Sequence, residues 1–363
     1  MRIFSADQVR WLRVRAQGLA GGADTVRGVV GAVRAAAALQ AQAAGPTRGQ
    51  VWSRAEGLSR ADVDAAFADA SVVRTWLMRG TIHAVAAEDL RPMLAALGPV
   101  NLRNGQRRRD QLGLTPQVCE RAMAALAQIL DGGRALTRAE IVGELAEHGV
   151  VIDLKSQQPP HLLGFAANSG LICRGPDAAR DEPTYVLLDE WLPTASAPER
   201  DAALALLAER YFAAYGPASA ADLVAWSGLQ AADAAKAIQL IRDDLEEVEH
   251  DGVRLLLPRG ATADPPETPA RPDKPHRLLA RFDPYLLGHR TRDLILDPAF
   301  AKRVNAGGGM IAQTMLDEGR VVGTWTAAGV LEPFGKLSGT ASAAFHKEAD
   351  EYLKWNTTVN HRA

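Results

Sequence analysis

Two glutamines one residue apart, Gln40 and Gln42 in the string Leu39-Gln40-Ala41-Gln42, stand where a helical pattern gives way to Gly45-Pro46. A carboxamide cannot act as a general base near neutral pH, but it carries two donors and an acceptor and can hold a water molecule in a chosen orientation. In an extended chain, residues two apart share a face, so both amides address one point; on a helix they lie about 200° apart. Two glutamines at a helix end are equally at home as capping or surface residues, and chemistry alone leaves both readings open. The chain has no G-x-S-x-G, Walker A, strand-linked G-x-G-x-x-G or H-E-x-x-H signature, which argues against many hydrolase and nucleotide-binding classes. Gly307–Gly309 reads as a flexible turn, and no cofactor or metal is expected.

The elements that must position these amides follow from periodicity and turn signals. Helical patterns run over 7–17 and 26–39, with Gly45-Pro46 ending the second; short helices over 51–56 and 61–70 and a β-branched hairpin over 72–85 follow. The same order returns with helices at 117–130, 137–148 and 160–169 and strands at 171–174 and 184–188, Thr137 and Glu140 forming a capping box. It returns again with helices at 198–215, 220–227 and 231–244, then strands 245–250 and 253–257 around Asp251-Gly252. Residues 258–275 hold six prolines and read as a stiff connector, beyond which strand-like 278–282, 294–296, 310–316 and 320–326 suggest a small β-domain. The expected fold is α+β: three tandem winged helix-turn-helix units at 1–110, 111–195 and 196–257, the linker, and a C-terminal domain at 276–363.

Length and composition agree with a globular chain of several domains. The 363 residues are 47% hydrophobic and 23% charged, and no stretch approaches the roughly 18 apolar residues of a membrane span. Cys119 and Cys173 stand alone, so neither a disulfide framework nor a zinc site is indicated, and the N-terminus lacks a signal-peptide core; a cytoplasmic protein is expected. The net charge of −2 hides a strong asymmetry: residues 1–110 hold 16 Arg, no Lys and 9 acids, whereas 181–260 hold 6 bases and 15 acids. Residues 271–303 return to 8 bases against 4 acids. A polyanionic partner would therefore meet the first and last thirds, although solvated surface charge is the plain alternative. Arg103, Arg107, Arg108 and Arg109 form a basic cluster suited to phosphate, while the helix at 231–244 lies in the acidic segment and is expected to be scaffold.

The string LQAQ, with WSRAEGL at 52–58, LMRGTIHAV at 77–85, LLARFDPYLLGHRTR at 278–292 and VVGTWT at 321–326, resembles the AlkZ/YcaQ family of winged-helix DNA glycosylases. The resemblance implies that Gln40 and Gln42 are the catalytic Gln-x-Gln pair, placing the chain with the AlkZ-like branch. It also implies three winged helices plus a C-terminal β-barrel in a C-shaped cradle for damaged double-stranded DNA. The implied reaction is monofunctional hydrolysis of N7-alkylpurine nucleosides, simple or crosslinked, in repair or in self-resistance to a genotoxic natural product. Arg79, Thr81 and His83 of the first hairpin are suited to a phosphate or the lesion, His83 having a locally satisfied role as its alternative. Asp283, His289 and Arg292 match the family's C-terminal motif and either contact DNA or form a network joining that domain to the rest. A monomer is expected, with no membrane partner. The rival reading is a non-catalytic winged-helix regulator or drug-sequestering protein, which would leave the glutamines incidental.

Overall fold

A computed structural model describes residues 2–193, 196, 198–261 and 272–357, so the middle of the proline-rich connector lies outside the described residues. β1 (Arg2–Ile3) leads into α1 (Ala6–Ala16), which starts at a reciprocal capping box between Ser5 and Gln8. α2 (Gly28–Ala35) stops short of the helical pattern, because Ala37 takes a left-handed conformation (φ 57°) and turns the chain into β2 (Leu39–Gln40). Gly45 and Pro46 do not end a helix. They lie in the first turn of α3 (Ala44–Trp52), where the N–H that proline lacks has no intrahelical partner to lose. α4 (Arg60–Ala68) and the hairpin β3 (Val72–Trp76) and β4 (Ile82–Ala86) complete the first unit. α5 (Ala87–Gln111) then runs for 25 residues, about 37 Å at 1.5 Å per residue, and the arginine cluster sits on its last turns rather than after it.

The second unit repeats this order as α6 (Pro116–Ile129), β5 (Leu136–Thr137), α7 (Arg138–Glu147), α8 (Gln158–Asn168), β6 (Ile172–Arg174) and β7 (Thr184–Leu187). The Thr137–Glu140 capping box is present as expected. In both units the first strand pairs with the third and the third with the second. The two sheets meet where Arg74 of β3 lies opposite Arg174 of β6, giving one six-stranded sheet in the order β2-β4-β3-β6-β7-β5. Read from either end, that order is the same.

After the single turn α9 (Leu188–Trp191) come α10 (Arg200–Tyr215), α11 (Ala220–Ser227), α12 (Ala231–Leu240) and the hairpin β8 (Leu245–His250) and β9 (Val253–Pro258). Asp251 and Gly252 both have positive φ (50° and 72°), as a two-residue type I′ turn requires. The first strand of this unit shrinks to a reciprocal bridge between Ala218 and Leu256, and β1 instead adds in parallel to β8.

The C-terminal part contains β10 (His276–Leu279), the single turns α13 (Pro284–Leu287) and α14 (Ala301–Val304), β11 (Thr314–Asp317), β12 (Arg320–Trp325), β13 (Leu331–Pro333) and α15 (Gly339–Thr357). The expected barrel does not close: the four strands form an open antiparallel sheet in the order β10-β11-β12-β13. A helix does the covering that closure would have done, for Phe345, Ala349 and Tyr352 of α15 pack on Leu278, Met315 and Trp325. Residues 294–296 are a buried turn rather than a strand. No helix among the described residues is long and apolar enough to cross a membrane, and Cys119 and Cys173 are buried and unpaired.

Two of the joints that tie this part to the others bear on the site. Gly288 admits the ring of Tyr215, which a Cβ at that position would overlap, and the Tyr215 hydroxyl donates to the Ala36 carbonyl at 2.9 Å. Arg54 and Asp283, both fully buried, form a bidentate pair at 2.9 and 2.8 Å. Breaking a buried pair strands the remaining charge, which typically costs about 3–5 kcal/mol. Asp283→Ala should therefore lose stability of about that size in urea unfolding, while Arg200→Ala, which removes an exposed pair to Asp233, should lose less than about 1 kcal/mol.

Candidate active site

Gln40 stands on β2 directly opposite His83 of β4, and His83 in turn stands opposite Thr75 of β3. Residues directly opposite one another on neighbouring strands project from the same face, so Gln40, His83 and Thr75 make a polar row across three strands. The extended ladder persists one residue further, Ala41 N–H donating to Ile82 O at 2.8 Å. Gln42 is exposed in the bend that leads to Ala43, the extended residue that starts α3. Thus the glutamine pair lies on a strand and its exit, not on a helix. This is the arrangement in which amides two residues apart can serve one point.

His83 is 3% exposed, and its Nδ1 lies 3.0 Å from the Thr81 carbonyl. A carbonyl oxygen only accepts, so Nδ1 carries the proton, and Nε2 of the neutral ring is left as an acceptor. Burial pushes the imidazole down to about 3, with nearby Arg79 acting in the same direction. At neutral pH His83 is therefore a lone-pair acceptor rather than a cation for phosphate. Thr75 Oγ1 is buried with no hydrogen-bond partner in the protein.

Gln50 of α3, fully buried, fixes the strand from behind. Its Nε2 donates to the Gln40 carbonyl at 3.1 Å and to the Arg281 carbonyl at 3.0 Å. Both partners are carbonyls, so the amide orientation is decided: nitrogen must face them. Four residues on, Arg54 Nη1 donates to the Gln50 carbonyl at 3.0 Å, its Nη2 to Gln17 Oε1 at 2.9 Å, and the guanidinium pairs with Asp283. Asp283 Oδ1 also accepts from Tyr285 N–H at 2.9 Å, and Phe282 beside it is held in a left-handed conformation (φ 59°). Such strain costs of order 1–3 kcal/mol and persists only where surrounding contacts impose it. A continuous chain of bonds thus runs from the C-terminal motif through Arg54 and Gln50 to the backbone of Gln40.

The remaining candidates fall in different places. Asp283 is fully buried on Arg54 and joins the C-terminal part to the rest, so it offers no surface to DNA. His289 Nε2 bonds to the Tyr215 carbonyl at 3.0 Å, and burial and the Arg13 charge hold its ring neutral. Arg292, half-buried, donates to Leu286 O at 2.6 Å. Arg79, left-handed at φ 55°, folds its guanidinium onto the carbonyls of Ala225 and Trp226 at the end of α11. Thr81 turns its hydroxyl back to Met78 O at 3.1 Å. The first hairpin loop is therefore docked on the third unit. Arg103, Arg107 and Arg108 lie exposed on α5.

Gln50, Arg54 and Thr75 carry the site's geometry and were not singled out from sequence. A signal existed for two of them: Gln50 and Arg54, four apart at the end of α3 and in the turn after it, are interleaved with buried Val51 and Ala55, so polar groups there needed internal partners. No group of three or more His, Cys, Asp or Glu among the described residues is arranged to hold a metal ion.

The chemistry on offer is positioning by neutral dipoles. Amides and an uncharged imidazole can orient a water and favour developing positive charge nearby, but they cannot deliver a proton to a poor leaving group.

Comparison with known proteins bears on this arrangement. The family model described as DNA glycosylase AlkZ-like matches residues 33–355, spanning the glutamine pair, the first hairpin and the C-terminal motif. An interstrand DNA cross-link repair glycosylase from Streptomyces sahachiroi is 29% identical over 326 residues, covering 83% of this chain and 85% of that protein. The solved structure of Streptomyces sahachiroi DNA glycosylase AlkZ superposes with a TM-score of 0.83 at 26% identity, over 98% of this chain and 97% of that one. With a mixed α+β fold that matches throughout, and a Gln40 held on its strand by a bond network with Gln42 at the strand's exit, the chain belongs to the AlkZ-like family and is a DNA glycosylase.

Proposed function

We propose that this glycosylase hydrolyses the N-glycosidic bond of purines made cationic by alkylation at N7, including bulky adducts and interstrand crosslinks, with Gln40 and Gln42 jointly positioning the water. The observation that carries this reading is the pairing of Gln40 with His83 on β2 and β4, with Gln42 exposed at the strand's exit. An N7-alkylated purine leaves as a neutral molecule, so protonation by a general acid is not needed. What remains is to aim water at C1′ and to support an oxocarbenium-like sugar, and oriented dipoles do both. The carboxylate of the C-terminal motif is engaged with Arg54, which fits a site that works without one. The related Streptomyces protein, named for crosslink repair, supports crosslinked lesions as substrates.

The repeated helix and hairpin order supports reading the first three stretches as winged-helix units, with boundaries at 1–110, 111–195 and 196–257, a linker at 258–275 and the C-terminal sheet from 276, together forming a C-shaped cradle. Exposed Arg103, Arg107 and Arg108 are the residues we assign to the DNA backbone. Asp283, His289 and Arg79 act as positioning residues for the site and its surround, and Thr81 and Arg292 line the same region. The enzyme acts as a monomer in the cytoplasm.

The double variant Gln40→Ala with Gln42→Ala should lower single-turnover excision of N7-methylguanine by at least about a hundredfold, the scale of losing preorganised dipoles, with duplex affinity little changed. Unchanged excision would remove the proposal. The pH profile supplies a second test. His83 is neutral in the fold down to about 3, so excision should show no histidine limb between about pH 6 and 8.5. Because its folded pKa lies below the unfolded value of about 6.5, stability is complete above that value and is lost as pH falls towards 3. Thermal unfolding should thus shift downwards below about pH 6 while activity stays flat above it.

A further inference from the structure

The palindromic strand order gives the molecule two comparable grooves, each formed where the hairpin loop of one unit meets helices beside the other. One, of about 450 Å³, lies where residues 176–181 cover α3 and α4. The other, of about 550 Å³, lies between α5 and α8 beneath residues 79–80. Their charge chemistry differs. In the first, the protein neutralises its own arginines: Asp181 takes Arg48 in a bidentate pair at 2.8 and 2.8 Å, and Asp177 takes Arg74 at 2.7 Å. In the second, no carboxylate lines the groove, and the covering loop brings a further arginine, Arg79, instead of acids.

The cations of that second groove are bonded to neutral groups alone. Arg108 donates to Gln111 Oε1 at 3.3 Å and Gln157 Oε1 at 2.6 Å, and Arg109 donates to Leu102 O at 2.7 Å while lying 4.9 Å from the Phe165 ring centroid. A guanidinium has five N–H donors, so each retains capacity for an anion. Burial first, and then the field of these two arginines, lowers the pKa of His161 on the opposite wall. The end of the groove is the indole of Trp76, whose Nε1 would lie only 3.2 Å from a Cβ at Gly164. Tyr185 already stacks on this indole, with ring centroids 6.3 Å apart, so the groove meets its Nε1 edge, and uncompensated guanidinia beside an indole edge suit a phosphate carrying a base.

The groove also communicates with the catalytic strand. Trp76 lies opposite Ile82, whose carbonyl accepts from Ala41 N–H. Arg174 bridges the same points, 5.9 Å from the Trp76 ring centroid and 3.4 Å from Ala41 O.

We propose that the groove between α5 and α8 binds one nucleotide of the DNA strand beside the lesion, its phosphate on Arg108 and Arg109 and its base against Trp76. This rests on the glycosylase reading but concerns a separate contact, so the two are tested apart. Anisotropy titrations of a labelled N7-methylguanine duplex over a range of salt would compare wild type, Arg108→Ala with Arg109→Ala, and Arg121→Ala, exposed on α6, as a control outside the groove. The groove variant should bind about tenfold more weakly and flatten the slope of log affinity against log salt by about 1 to 2, since each phosphate contact contributes about 0.9. Far-ultraviolet dichroism should be unchanged, because Arg108 is exposed and Arg109 is only half-buried on the surface of α5. An unchanged slope, or an equal change in Arg121→Ala, would overturn the site. Free deoxyguanosine monophosphate distinguishes the source of the ligand: millimolar nucleotide should displace the strand weakly at best, whereas micromolar binding of it that the groove variant loses would overturn the strand assignment in favour of a free nucleotide. Wild-type failure to excise would remove the glycosylase substrate proposal while leaving these binding results readable.

Discussion

The buried pair between Arg54 and Asp283 is the constraint on which the rest of the site depends. Two charges with no exposed surface are costly to desolvate, and here the cost is offset by two bonds between them and others to Gln17, Gln50 and Tyr285, with only Arg54 Nε left without a partner in the guanidinium. Arg54 lies just after α3 and Asp283 just before α13, so the pair brings segments 229 residues apart in sequence into one orientation. From there Gln50 reaches the Gln40 backbone. A catalytic amide is useful only if its direction is held to a fraction of an ångström, and a two-residue strand at a sheet edge cannot supply that by itself.

The same principle explains where the basic charge of the first 110 residues goes. Arg10, Arg13, Arg48, Arg54 and Arg74 are all buried, serving carbonyls or carboxylates inside the protein. Much of the apparent charge asymmetry is therefore internal cement and does not face a polyanion. Among the arginines of this stretch that stay exposed, those on the last turns of α5, with the groove beside them, are the ones we propose for DNA. The loop expected to reach DNA, with Arg79 and Thr81, instead packs on α11.

Much of the architecture was legible because it is carried by local signals. The capping box at Thr137, the Asp251-Gly252 turn and the helix at 220–227 appear where periodicity and cap chemistry put them. The glutamine pair was legible by resemblance, and its extended backbone was one of two geometries the chemistry allowed. Misreadings came where tertiary contacts overrule local pattern. Ala37 ends α2 in a left-handed turn that alanine does not advertise, and Pro46 starts α3 where proline alone suggested a stop. The C-terminal barrel was implied by the resemblance, whereas the strand pattern gave only a small β-domain and did not reveal α15, whose apolar stripe over Phe345, Ala349 and Tyr352 covers the open sheet. Gln50 and Arg54 were invisible for a different reason: their partners are distant in sequence, and only folding shows which buried polar group meets which.

The central claim is that neutral dipoles suffice because the leaving base already carries a positive charge. Single-turnover excision should be compared for N7-methylguanine and for the neutral bases hypoxanthine and uracil, in otherwise identical duplexes. The account predicts release of the cationic base and release of either neutral base that is slower by about a thousandfold, the middle of the range that a general acid is worth. Neutral bases released at rates within about tenfold would require a proton donor in the site and would contradict it.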